Sequence, residues 1–257
     1  MRLANRTREV EFFKKMLRGE IAQRILLIQA ASGMGKTSLL TEFASLCPVH
    51  AEAAILVKID LKSAQTGIAY IFSKLQSRLG EDNFTRFDGE LSSVLSAGVE
   101  VSGNHIEGTG NKIQLVLNAE SDDIRNLRLS KLQRAFFQDL QAIKKPIVII
   151  LDSFNDAPTT LAVWIGGGFL AEIADAKNIR VVIAGQSVPE LKIEWADIAA
   201  MHSLYKIDDA DAWYSFSKEQ KWGFGKESIE LFVRYLNGQP SQILQALESL
   251  ARGRENE

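Results

Sequence analysis

The chain has 257 residues, 46% of them hydrophobic and 24% charged, with a formal net charge of −2. That length and balance fit one large or two small domains around a sizeable core and exclude wholesale disorder. A single cysteine, Cys47, excludes an internal disulfide framework, and the near-neutral charge argues against a protein coated in nucleic acid, though not against a local basic patch.

Helical and strand patterns then alternate along the chain. Residues 6–18 place Val10, Phe13, Met16 and Leu17 on one helix face. Residues 24–30 form a short apolar run that reads as a buried parallel strand. A helix is expected from about Lys36 to near Cys47, where Pro48 disfavours helix at the residue before it. Residues 54–60 read as a second strand and 67–79 as a helix with Ile68, Ile71, Phe72, Leu75 and Leu79 on one face. Residues 98–118 alternate with period two among Gly and Asn breakers, which predicts a β-hairpin or meander. It would sit in an insertion over about 92–126, ahead of a helix at 130–143. Residues 146–152 are the most strand-like segment, followed by strands at 179–185 and 203–207. After Asp208 only helical patterns remain, at 210–220, 226–236 and 241–252. The predicted fold is α/β: a parallel sheet sandwiched by helices over 1–207, carrying the small hairpin insertion, and a C-terminal helical lid over 208–257.

The sharpest motif is Ala30-Ala31-Ser32-Gly33-Met34-Gly35-Lys36-Thr37-Ser38. It has the P-loop spacing G-x-x-x-x-G-K-[ST], with Ala30 in the place of the first glycine. A strand runs in and an amphipathic helix runs out. Gly33 and Gly35 let successive backbone N–H groups curl inward as an anion nest, and the helix N-terminus adds its positive dipole end. Lys36 would reach the β- and γ-phosphates, and the Thr37 hydroxyl would take Mg²⁺. Ser32, Met34 and Ser38 complete the loop. Alanine at position 30 is tolerable where its φ stays negative.

A phosphate loop of this kind needs a carboxylate at the end of a neighbouring strand to hold the metal shell. Asp152, closing the run Ile147 to Leu151, fits that place. The next residue is Ser153 rather than a water-activating glutamate. Asp156 either orients the attacking water, or caps the helix after Pro158, or merely faces solvent. Lys36, Asp152 and Asp156 are the candidate catalytic residues, and Thr37 and Asp152 the candidate metal ligands.

These residues together resemble the nucleotide-binding core of the STAND-class signal-transducing ATPases, which include NACHT-type proteins and are related to AAA+ ATPases. Asn5-Arg6-Thr7-Arg8-Glu9-Val10 is similar to the family's Gly-Arg-x-x-Glu-Leu helix start, with Asn5 in the glycine place. The resemblance makes Arg6 a candidate contact to adenine or ribose; a solvated helix arginine is the alternative. Val181 to Pro189 resembles the sensor-1 strand and turn, with Gln186 where arginine is frequent, and an amide cannot neutralise charge. Leu236-Asn237-Gly238-Gln239-Pro240-Ser241 resembles the Gly-x-Pro motif of the lid, in which the proline approaches the base.

The resemblance implies ATP or ADP with Mg²⁺, and a molecular switch with slow or partner-stimulated hydrolysis and a nucleotide-dependent homo-oligomer. Members of the class carry effector and sensor parts beyond this core, so protein partners supplying them are expected. A non-hydrolysing, nucleotide-bound adaptor working through protein contacts is the alternative, favoured by Ser153 and Gln186. A DNA-linked AAA+ ATPase ranks behind both on charge.

Among the remaining features, His50, His105 and His202 carry no metal-ligand spacing. Arg125, Arg128, Lys131 and Arg134 form either a solvated helix face or an arginine finger for a neighbouring subunit. The run Gly166-Gly167-Gly168 inside a helical pattern predicts a kink or a close helix approach. No apolar run approaches the roughly 18 residues of a membrane span, and the start lacks a signal-peptide stretch, so a cytoplasmic chain without membrane contact is expected.

Overall fold

The computed structural model describes residues 4–51, 53–63, 67–96, 108–118 and 121–255. Five strands, β1 (Ile25–Gln29), β2 (Ile55–Asp60), β3 (Ile147–Asp152), β4 (Ile179–Gly185) and β5 (Ala199–Ser203), form one parallel sheet in the order β2-β3-β4-β1-β5. A parallel sheet needs a crossover for each strand, and those crossovers place helices on both faces. Strand side chains alternate between the faces. Leu26, Ile28, Val148, Ile150 and Val182 pack with Val10, Phe13, Met16, Leu39, Leu40 and Phe43 of helices α1 (Thr7–Arg18) and α2 (Lys36–His50). Ile25, Leu27, Ile147, Ile149, Val181 and Ile183 face the other way.

That second face is covered by α3 (Ile68–Leu79), α4 (Thr85–Ser96), α5 (Thr109–Leu117), α6 (Asp122–Ala142), α7 (Thr159–Trp164) and α8 (Leu170–Asp175). An aromatic knot holds it together. The Phe136 ring of α6 lies 4.6 Å from Phe72, 4.8 Å from Phe84 and 5.1 Å from Phe87, between centroids. A third apolar cluster joins α9 (Ala210–Glu219), α10 (Lys226–Tyr235) and α11 (Pro240–Glu255) through Trp213, Phe216, Ile229, Val233, Ile243 and Leu247. No helix among the described residues is long and apolar enough to cross a membrane.

The structure corrects several expectations. The predicted hairpin is not one over its second half: residues 109–117 are helix α5, and 98–107 lie outside the described residues. Ile113, Val116 and Leu117 are the buried positions of α5, a spacing of three and four that matches a helix packed on α3, α4 and α6. Apolar residues at 113, 115 and 117 fit a period of two while those at 113, 116 and 117 fit a helix, and the neighbouring helices decide between them. Helix α6 begins at Asp122, not 130, because the Ser121 hydroxyl accepts from the Ile124 N–H at 3.3 Å and two aspartates occupy its first turn. Helix α2 continues through Pro48 to His50; the proline sits in the last turn, and buried Cys47 and Phe43 hold the segment in place.

The last strand is Ala199–Ser203 rather than 203–207. It pairs only with β1 at the sheet edge, so it carries little apolar signal. Leu204 and Ile207, which suggested a strand, instead bury into the α1–α2 cluster and the lid cluster respectively. The glycine run forms a π turn over Ile165–Phe169. A Cβ at Gly168 would lie 2.9 Å from Gln133 Oε1, so the close approach expected there is real.

Phe136→Ala removes the ring at the centre of the aromatic knot and is expected to cost about 3–5 kcal/mol of unfolding free energy, measured by chemical denaturation followed by circular dichroism.

Candidate phosphate-binding site

The parallel register brings the carboxyl ends of the strands level. Gln29 pairs with Gly185, and Asp60 pairs with Asp152. In open α/β sheets that edge is where ligands bind. Between β1 and α2 the chain turns through Gly33 at φ 79° and Gly35 at φ 86°, both in the left-handed region that favours glycine. Ala30 stays out of that region, and its N–H bonds the Gly185 carbonyl at 3.1 Å. Helix α2 starts with no side-chain cap, which leaves first-turn N–H groups for an anion.

Lys36 Nζ donates to the carbonyls of Ala30 at 2.7 Å and Ala31 at 2.9 Å. Partial burial pushes its ammonium below the usual lysine range, and the Asp152 carboxylate partly restores it. The Thr37 hydroxyl donates to Asp152 Oδ2 at 3.3 Å, although 115 residues separate the two. The other oxygen, Oδ1, accepts from the Ser153 N–H at 2.8 Å. A hydroxyl facing a carboxylate is a hard-oxygen donor pair of the kind Mg²⁺ takes. No cluster of three or more His, Cys, Asp or Glu among the described residues offers another metal centre.

A short turn, Phe154–Asp156, follows β3. Asp156 does not cap α7, which begins at Thr159 without a side-chain cap bond. Its carboxylate instead accepts from Asn155 Nδ2 at 2.9 Å. Asn155 Oδ1 in turn accepts from the Gln186 N–H at 2.8 Å, tying the turn after β3 to the turn after β4. Ser32, Gly33, Gly35, Lys36, Thr37, Ser38, Asp152, Asp156 and Gln186 all line one polar cavity of about 420 Å³, together with Lys62, Ser153, Asn155 and Ser241.

A second cavity of about 220 Å³ adjoins the first through Gly35, Ser38 and Ser241. Its walls are mostly apolar: Ala4, Met34, Ile207, Trp213, Phe216, Pro240 and Leu244, with Arg6, Gln245 and Glu248. Arg6 is buried rather than solvated, and desolvation lowers its pKa, partly offset by Glu9. Its Nη2 donates to the carbonyls of Met34 at 3.0 Å and Tyr205 at 2.8 Å, joining α1, the phosphate loop and the segment leading to the lid. Helix α11 also touches the loop directly. The Ser241 N–H bonds the Gly33 carbonyl at 3.0 Å, and the Ile207 N–H bonds the Gly238 carbonyl at 2.8 Å.

Every candidate catalytic, cofactor-binding and metal-ligating residue therefore lies on one of two adjoining cavities. Arg6, Met34 and Pro240 fall on the apolar one and the rest on the polar one. Sequence reasoning missed Lys62, Asn155, Trp213 and Phe216. Lys62 stands two residues beyond the end of β2, and a charge just past a parallel strand was the available signal. Trp213 and Phe216 lie in the helical pattern at 210–220, which carries no motif. Arg125 and Arg128 line neither cavity; Arg125 pairs with Asp122 at 2.5 Å, and Arg128 bonds the Val116 carbonyl at 3.1 Å.

No family model matches the chain, and no curated protein matches it. Solved structures do share its fold. The Orc1 protein of Aeropyrum pernix, solved in complex with DNA, is 13% identical with a TM-score of 0.54, covering 99% of this chain and 61% of that one. Cdc6p from Pyrobaculum aerophilum is 13% identical with a TM-score of 0.52, covering 100% of this chain and 64% of that one. The chain thus spans about three fifths of the length of these two. At this identity the likeness shows the fold alone, a five-stranded parallel sheet flanked by helices.

Arg6→Ala leaves the Met34 and Tyr205 carbonyls without their donor in a partly buried place. It is expected to lower unfolding free energy by about 1–3 kcal/mol, read from urea unfolding of the variant beside the parent.

Proposed function

We propose that the chain binds ATP or ADP with Mg²⁺ and acts as a nucleotide-dependent switch with slow or partner-stimulated hydrolysis, in the manner of the STAND-class ATPases it resembles. The observation that carries this reading is the meeting of Lys36, Thr37 and Asp152 at the carboxyl edge of the sheet, beside an apolar cavity. Two units serve it in this reading, a nucleotide-binding unit over 1–207 and a lid over 208–257. The phosphates take the loop of Ser32, Gly33, Met34, Gly35, Lys36, Thr37 and Ser38. The base takes the apolar cavity, against Met34 and Pro240.

The chemistry is positioning and charge neutralisation. Lys36 exchanges two carbonyl partners for phosphate oxygens, at the cost of two hydrogen bonds within the loop. Thr37 and Asp152 would hold Mg²⁺, which when bound draws charge from the phosphate oxygens. Asp156 reaches the same cavity with a carboxylate oriented by Asn155, where it would orient the attacking water. The bond from the Ser241 N–H to the Gly33 carbonyl gives the lid a direct contact with the loop that changes when a phosphate arrives.

Two other readings each have an observation in their favour. Ser153 and Gln186 bring neither an acid nor a cation to the cavity, which favours a non-hydrolysing adaptor. The likeness to a DNA-complexed Orc1 favours a DNA-linked ATPase. Protein partners, a homo-oligomer and a cytoplasmic setting belong to the switch reading.

Lys36→Ala is expected to abolish ATP binding in a calorimetric titration, and unchanged affinity would sink the site. Asp156→Ala should keep ATP affinity while lowering phosphate release by about 10²-fold; equal turnover removes Asp156 from the chemistry. The particle's mass with ADP and then with a non-hydrolysable ATP analogue should differ if the chain is an assembling switch. Retention on DNA that falls steeply between low and high salt would instead support the DNA-linked reading.

A further inference from the structure

We propose that Lys62 is a second phosphate-contacting cation, acting on the γ-phosphate from the side of the sheet opposite Gln186. This rests on the nucleotide site proposed above and identifies a residue that neither the motifs nor the family resemblance supplies. Strand β2 neighbours β3, and its last residue, Asp60, stands level with Asp152. The pairing continues one residue further, as the Leu61 N–H donates to the Asp152 carbonyl at 2.9 Å. The chain then turns: the Lys62 N–H donates to Asp60 Oδ1 at 3.0 Å. That turn delivers the exposed Lys62 to the polar cavity that holds Lys36, Asp152 and Asp156. Since β3 lies between β2 and β4, Lys62 and Gln186 approach from opposite sides of Asp152.

Charge argues for its role. The described lining of this cavity carries two carboxylates, Asp152 and Asp156, and two cations, Lys36 and Lys62, with no arginine. A triphosphate with its metal still carries net negative charge, and the loose transition state of phosphoryl transfer spreads charge over the γ-oxygens. Gln186 donates hydrogen bonds but cannot neutralise that charge. A lysine on a flexible four-carbon stem supplies a mobile point charge suited to a group present in ATP and absent in ADP. Lys62 therefore discriminates between the two nucleotides as well as assisting hydrolysis.

The test compares the full-length parent with Lys62→Met and Lys62→Arg by calorimetry with Mg-ADP and with a non-hydrolysable Mg-ATP analogue, and by phosphate release. Lys62→Met is expected to bind ADP within about twofold of the parent while binding the analogue roughly ten- to a hundredfold more weakly, with turnover reduced. Lys62→Arg should keep the preference for the triphosphate. An unchanged ratio of the two affinities in Lys62→Met, in a parent that binds both, overturns this inference and leaves the nucleotide site standing. A parent that binds neither nucleotide overturns the site and this inference together. Because Lys62 is exposed and packs into none of the core clusters, the Met variant folds as the parent does.

Discussion

Parallel pairing of β1 to β5 is the constraint on which the rest of the molecule depends. Parallel strands have no short connection, so each must return across a face of the sheet, and both faces fill with helix. The same pairing levels the carboxyl ends, so residues far apart in sequence finish side by side: Gln29 beside Gly185, Asp60 beside Asp152. Asp152 and Thr37 come within 3.3 Å only because β3 and the loop after β1 end at the same height. A shift of one residue in β3 would turn the carboxylate to the opposite face of the sheet.

The loop itself is built around unmet hydrogen bonds. Gly33 and Gly35 take left-handed conformations, and the N–H groups of the first turn of α2 have no side-chain acceptor. The surrounding protein holds this arrangement open. Lys36 is tied to the carbonyls of Ala30 and Ala31, Arg6 holds the Met34 carbonyl, and Ser241 of the lid holds the Gly33 carbonyl. The carbonyls of Ala30, Ala31, Met34 and Gly33 all have donors outside any bound ligand. Helix α11 is thereby bonded to a peptide group of the glycine loop, and the apolar cavity between them has walls from both parts.

Around Asp152 the turns after β3 and β4 are locked to one another. Asn155 accepts from the Gln186 backbone N–H and donates to Asp156, so one side chain bridges the two turns. The loop after β4 then packs on the π turn at Ile165–Phe169, where the Trp195 indole donates to the Gly166 carbonyl at 3.0 Å. The absence of side chains at Gly166 and Gly168 is what allows that loop and Gln133 to come so close. This gives the glycine run a packing reason independent of any ligand.

The chain's own pattern was enough for the sheet-and-helix class and for the motif residues. Short, β-branched, fully apolar runs such as Ile147 to Leu151 read as strands buried on both faces, and a strand, glycine loop, Lys-Thr and helix in succession is readable without coordinates. Where local pattern was ambiguous or weak, it misled. Residues 109–117 fit both a strand and a helix period, and packing on α3, α4 and α6 made them a helix. Strand β5 is an edge strand held by pairing with β1, so its composition barely announces it. What only the tertiary structure decided is which distant residues share a cavity. Lys62, Asn155, Trp213 and Phe216 reach the site through strand order, a turn-to-turn bond and lid docking. Those are relations between segments, and no local window of sequence contains them, because sheet register and docking are set by burial summed over the whole chain.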